Sequence, residues 1–77
     1  KAYILLDVRL SIEVSEEERE GRLLIPLTEL RNRIHQLEKN TVYVMAHEAG
    51  RRAVLGAYLL NQAGFQAYIH EDATPSP

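Results

Sequence analysis

Apolar residues arrive along this chain in two rhythms. Four short segments are apolar at nearly every position or rich in β-formers: Ala2–Val8, Leu23–Leu27, Thr41–Ala46 and Gln66–His70. A run apolar on both faces is what a central strand of a parallel sheet requires, and such strands are short. Pro26 has no N–H to give a ladder, so Leu23–Leu27 reads as an edge strand. Two other segments repeat their apolar residues at helical spacing. Leu30, Ile34 and Leu37 form one stripe on a helix predicted from Thr28 to about Lys39, with Asn40 as its cap. Ala53, Val54, Ala57 and Leu60 mark the inner side of a helix over Arg51–Ala63, which Gly64 ends with a left-handed residue. Between the first two strands, Leu10–Glu20 carries a Ser15-x-x-Glu18 capping box followed by acids, which predicts one helical turn closed by Gly21.

Strands alternating with helices call for a parallel sheet with right-handed crossovers. The fold class expected is α/β, a three-layer α/β/α sandwich with a small parallel sheet. Ligands of such sheets bind at the C-terminal ends of the strands. That rim carries Asp7 and Arg9, then the loop His47–Gly50 with Arg51 and Arg52, then His70 to Asp72. The polar, Pro-containing stretch 72–77 reads as a linker or tail, leaving residues 1–71 as the domain.

Composition narrows what this rim can do. At 77 residues the chain is one small domain, and a domain of this size buries only roughly 60 % of the surface its unfolded chain exposes. It contains no cysteine, which excludes disulfides, thiolate nucleophiles, persulfide carriers and Cys-ligated metals. The formal net charge of −2 and pI near 5.9 lack the basic excess of a nucleic-acid binder. No apolar run exceeds five residues, so no membrane span is expected. A cytoplasmic location is expected, and the start on an apolar strand without Met suggests a segment of a longer protein.

Several landmarks occur in order: Asp7-Val8-Arg9, Ile25-Pro26-Leu27, Gly50-Arg51-Arg52-Ala53, Leu59-Leu60, and Ala63-Gly64-Phe65 leading into a Tyr-bearing strand. Together they resemble the rhodanese-like domain over nearly the whole chain. The resemblance implies that Thr41–Ala46 lies between the first and last strands, with the Leu23–Leu27 strand at the outer edge. It also implies an active-site loop of pattern C-x-x-G-x-R, and here the chain departs from the family. Counting back from Gly50 places His47 where the nucleophilic Cys stands. The family's Gly-His-Ile-Pro-Gly-Ala approach is replaced by Glu17–Arg22 and its closing glycine pair by Asp72-Ala73, and the strand and helix that precede its Asp-Val-Arg motif either lie upstream of this segment or are lost from this copy.

Rhodanese chemistry passes a sulfane sulfur through a cysteine persulfide, and the loop N–H groups hold the anion. Without that thiol, no sulfurtransferase or Cys-dependent phosphatase activity is expected, and the chain is read as non-catalytic. No catalytic residue, metal or cofactor is assigned to the degenerate loop His47, Glu48, Ala49, Gly50, Arg51, Arg52. Three readings of His47 stand side by side: a tolerated replacement, an anion pocket formed with Gly50, Arg51 and Arg52 and supported by Asp7 and Arg9, or a metal site with His70 and a nearby Glu48, Glu71 or Asp72. Two cations in the first turn of a helix each oppose its dipole by about 0.3–1 kcal/mol. A carboxylate partner for Arg51 and Arg52, Asp7 or Glu48, is therefore expected ahead of a bound oxyanion.

The remaining features read as structural. His35 is placed on the surface. The acids Glu16–Glu18 and Glu20 form a solvated face. The four tyrosines, Tyr3, Tyr43, Tyr58 and Tyr68, pack at the core or its boundary with their hydroxyls at the rim. Phe65 supplies the apolar contact beyond a helix C-cap. The expected role is a regulatory or protein-interaction module. Its partners would be other domains of the same polypeptide, a cyclic-nucleotide-binding domain among the candidates, or a second copy. The alternative is an oxyanion-binding, sulfurtransferase-related domain that takes its Cys from elsewhere.

Overall fold

The computed structural model describes residues 3–69; the expectations for Ala2, His70, Glu71 and the tail 72–77 lie outside the described residues. The chain runs β1 (Ile4–Asp7), a 3-10 turn (Ser11–Glu13), α1 (Glu16–Arg19), β2 (Arg22–Leu24), α2 (Leu27–Arg33), a 3-10 turn (Ile34–Gln36), β3 (Val42–Met45), a 3-10 turn (His47–Ala49), α3 (Arg51–Gln62) and β4 (Gln66–Ile69). The four strands are parallel in the order β2-β1-β3-β4. β3 lies between β1 and β4, and β2 forms the outer edge, as the resemblance implied.

The register places Leu6 beside Met45, and Tyr43 beside Ala67, on one face of the sheet. α2 and α3 cover that face, and Leu6, Val8, Leu30, Tyr43, Met45, Ala53 and Leu60 form the buried core with Phe65. α3 approaches closely because of Gly56. A Cβ there would sit 2.7 Å from Met45 Cε and 3.3 Å from Val8 Cγ1. The step from β1 to β2 runs across the sheet in the opposite direction to the later steps. A right-handed crossover therefore carries Ser11–Arg19 over the other face. This third layer is thin. Val14 and Asp7 are buried beneath it, while Leu5 and Val44 remain half-buried and Tyr3 and Tyr68 are exposed.

Several boundaries differ from the sequence expectation, each for a tertiary reason. Leu27 begins α2 instead of ending β2, because Pro26 sits at the helix N-cap position and the Leu27 N–H turns to Val8 O at 2.9 Å. The predicted helix to Lys39 stops as an α-helix at Arg33 and leaves the 3-10 turn at Leu37. There Tyr43 Oη accepts the Glu38 N–H at 2.9 Å and donates to Glu38 O at 3.2 Å, which holds this stretch in a turn ahead of β3. Val54 is 58 % exposed. The inner stripe of α3 is Ala53, Gly56, Ala57 and Leu60, and Val54 is rotated about 100° from Ala53. Tyr43 alone among the four tyrosines is buried.

Other local readings hold. Ser15 Oγ accepts the Glu18 N–H at 3.1 Å, and Glu18 Oε1 accepts the Ser15 N–H at 3.0 Å, which closes the capping box. Gly64 has φ +94°; beyond it Phe65 N–H reaches Leu60 O at 2.9 Å and Gly64 N–H reaches Asn61 O at 3.1 Å. This is the paired bonding of a Schellman ending. His35 is exposed.

Candidate functional site

The strand ends gather charge. Asp7 closes β1 with no exposed surface, and Arg9, two residues on, is 8 % exposed. The Asp7 carboxylate accepts the Arg9 backbone N–H at 3.0 Å and the Arg9 guanidinium at 2.8 to 3.2 Å. It also accepts Arg22 Nη1 at 2.9 Å. Each arginine then reaches a second carboxylate. Arg9 Nη2 meets Glu18 at 3.1 Å, and Arg22 Nη1 meets Glu48 in the His47–Ala49 turn at 3.2 Å. The chain Glu18–Arg9–Asp7–Arg22–Glu48 thus ties α1, both left-hand strands and the degenerate loop together. Arg22 Nε is buried without a hydrogen-bond partner among the described residues.

The electrostatics follow from this pairing. Burial pushes the Asp7 carboxyl up, but the Arg9 side chain, the Arg9 backbone N–H and Arg22 outweigh it and hold the group below its ordinary value. Glu48 shows the same contest. Its burial is outweighed by its own backbone N–H and by Arg22, so it too lies low. The Ser15 N–H and, after it, Arg9 lower Glu18 against the cost of burial. Both Arg9 and Arg22 are held more firmly protonated. All five groups are therefore charged at neutral pH.

The loop itself is wound up. Ala49 N–H bonds Ala46 O at 3.2 Å and Gly50 N–H bonds His47 O at 2.9 Å, while Ala53 N–H takes Gly50 O at 2.9 Å. Gly50 stands at φ 60° and ψ −129°, joining the 3-10 turn to α3; only glycine adopts this region without strain. His47 and Glu48 are exposed and Ala49 is buried.

The partner expected for Arg52 is corrected. It is not Asp7 or Glu48 but Glu13, which takes both guanidinium nitrogens at 2.7 Å. Asp7 and Glu48 are already engaged by Arg22, and the 3-10 turn Ser11–Glu13 brings Glu13 over the start of α3. Arg52 lowers Glu13 to about 2. Arg51 is exposed and makes no ion pair among the described residues. Of the sequence-derived set, the structure thus joins Asp7, Arg9 and Glu48 in one network, pairs Arg52 with Glu13 instead, and leaves Arg51 without an ion pair among the described residues.

Sequence reasoning missed Arg22, Glu13 and Glu18 as members of this site. Arg22 pairs in register with Leu5, so its side chain lies diagonally across from Asp7 on the same face. The parallel register was the signal that could have found it. Among the described residues, no group of three or more His, Asp or Glu side chains could hold a metal ion. The metal reading that used His70, Glu71 or Asp72 lies outside them.

A parallel four-stranded sheet with its charged residues at the strand ends, beside a loop that runs into a helix N-terminus, defines an α/β domain with a strand-end site. The comparisons with known proteins refine that class. No protein-family model matches the chain, and no curated protein matches it. Solved structures do. A rhodanese-related protein from Thermoplasma volcanium is 31% identical with a TM-score of 0.73, and the match covers 90% of this chain and 70% of that one. Two structures from Lactobacillus plantarum are 33% and 29% identical, with TM-scores of 0.61 and 0.71. The match covers 87% of this chain and 65% of each of theirs, so the chain spans slightly less than two thirds of their length. This chain belongs to the rhodanese-like family.

Proposed function

We propose that the chain is a non-catalytic rhodanese-like domain acting as a regulatory or protein-interaction module of a cytoplasmic protein. One observation carries this reading. There is no cysteine, and the cations around the old nucleophile position are largely engaged by the chain's own carboxylates: Arg52 by Glu13, Arg22 by Asp7 and Glu48, Arg9 by Asp7 and Glu18. An incoming oxyanion must compete with these pairs. The half-open sheet face around Leu5 and Val44 supports docking against another domain of the same polypeptide, such as a cyclic-nucleotide-binding domain, or against a second copy.

The test is a thiosulfate-to-cyanide sulfur-transfer assay that reads thiocyanate, run on the natural chain and on His47→Cys. The natural chain is expected to be inert, and its turnover would overturn the reading. The variant reports on the loop. In it a thiolate takes the sulfane sulfur from thiosulfate, releases sulfite, and passes the sulfur to cyanide. Turnover by His47→Cys supports the second reading, an oxyanion site lacking only a nucleophile, which Arg51, exposed and without an ion pair among the described residues, favours. An inert variant supports the interaction module.

A further inference from the structure

We infer that the outer groove between α2 and α3 is a docking site for an acidic amphipathic helix of a partner protein or domain. This rests on the reading of the chain as an interaction module and names the chemistry of what it binds. Both helices return from the C-terminal ends of strands, so they run side by side in the same direction, and a groove of about 560 Å³ opens between them. Leu27, Leu55, Tyr58 and Leu59 supply its apolar walls, and Arg31 stands in it. None of these residues belongs to the strand-end network. Three large apolar side chains on α3 face solvent beside or within the groove: Val54 at 58 %, Leu55 at 53 % and Tyr58 at 59 % exposure. Scattered exposed apolar residues need no explanation, but a stripe bordering a groove marks an interaction surface.

The charge decides the partner. Among the described residues, no carboxylate lines the groove. Arg31 makes no ion pair among the described residues, and neither does Arg51, which stands one turn before Leu55 on the same face of α3. The neighbouring acid on α2, Glu29, is engaged by Arg33 at 3.1 Å. Two cations without ion pairs among the described residues thus stand in or beside an apolar trough in a chain whose net charge is −2. That combination fits a helix laid in the trough with leucine-like residues inward and Asp or Glu at its edges. The chain's own acidic segment is a poor occupant. Around Glu16, Glu17 and Glu20 its exposed large apolar side chains are Leu10 and Ile12, which lie ahead of α1 and do not form a stripe along it. Its docking would join opposite layers of two copies head to tail, as in rings or filaments.

The experiment titrates the isotope-labelled chain with synthetic amphipathic peptides of about 14 residues, long enough for four helical turns, and follows backbone amide shifts. One peptide carries Leu on one face and Glu on its flanks; a second replaces Glu with Lys; a third replaces Leu with Ser. The expected result is saturable shifts confined to residues of α2 and α3 with the first peptide and none with the others. Tyr58→Ser and Arg31→Glu change exposed side chains, so their unperturbed spectra verify the fold, and each is expected to weaken binding about tenfold, a factor typical of one lost contact. The double variant Arg31→Glu/Arg51→Glu is expected to prefer the Lys peptide. Absence of shifts at millimolar Leu/Glu peptide, equal binding of the Lys peptide, or shifts centred elsewhere overturns the proposal. So does concentration-dependent sedimentation abolished by Tyr58→Ser, which assigns the groove to a second copy. Failure here with a silent thiocyanate assay removes the groove alone, whereas turnover in that assay removes the reading beneath it.

Discussion

Replacing Asp7 with alanine is the perturbation with the clearest consequence. The carboxylate is fully buried and accepts Arg9 through its backbone and side chain and Arg22 through Nη1, at 2.8 to 3.2 Å. Removing one partner of a buried pair costs about 3–5 kcal/mol, because the remaining charge is left without compensation. Here both arginines keep a second carboxylate, Glu18 for Arg9 and Glu48 for Arg22. The loss is therefore set at the lower end, about 3 kcal/mol. A domain of 77 residues has a total stability of about 4–12 kcal/mol, so Asp7→Ala removes a quarter or more of it. At 4–8 °C per kcal/mol for a domain of this size, the melting temperature falls by about 12–24 °C. Asp7→Asn keeps the volume and an acceptor for the Arg9 N–H, which restores about 1 kcal/mol. Urea unfolding followed by far-ultraviolet circular dichroism reads the difference, since the chain has no Trp, and the slope m should stay constant. A loss below about 1 kcal/mol for Asp7→Ala would refute the reasoning, as would an Asn variant as stable as the natural chain.

Other outcomes follow from the same contacts. The Glu13 carboxyl is expected to titrate at about 2 and to return towards 4.5 in Arg52→Gln, read by carboxyl carbon shifts; an unchanged midpoint would show that the 2.7 Å pair does not persist in solution. Asp7, Glu13, Glu18 and Glu48 all lie below their ordinary values. Their contribution is complete above the unfolded carboxylate range and is lost as pH falls through the folded values, so acid unfolding monitored by dichroism should begin below about pH 4.5. Gly50→Ala meets no atom within 4 Å but places a Cβ on a backbone at φ 60° and ψ −129°. It should lose about 1–3 kcal/mol in urea unfolding from strain alone, and a neutral result would mean that the turn readily adopts another conformation.

Local rules made much of the fold legible. The alternation of apolar strands with helical stripes determined a parallel α/β sheet. The Ser15–Glu18 box and the Gly64–Phe65 ending were readable because each closes within a few residues, where short-range hydrogen bonds dominate. The missing thiol was likewise a fact of sequence, and it bounded the chemistry before any geometry was known. Element ends were less legible where a distant group competes for a backbone polar atom, as Tyr43 does at Glu38 and Val8 O does at Leu27.

The strand-end network was legible in only some of its residues and in none of its pairings beyond the strand. Asp7, Arg9 and Glu48 were identified from their place at the strand ends. Which cation meets which carboxylate depends on parallel register and on how the third layer folds over. Arg22 comes under Asp7 from 15 positions away, and Arg52 meets Glu13 across 39. The sequence by itself determined the sheet and the absence of a thiol, because periodicity and composition act along the chain, and its ordered landmark motifs carried the resemblance to the family. Only the tertiary structure decided that Arg52 turns to Glu13 while Arg51 stays exposed, and that an apolar groove with Arg31 in it is left open between α2 and α3. Coulombic pairing acts through space, and no spacing rule along the chain records which charges fold into reach.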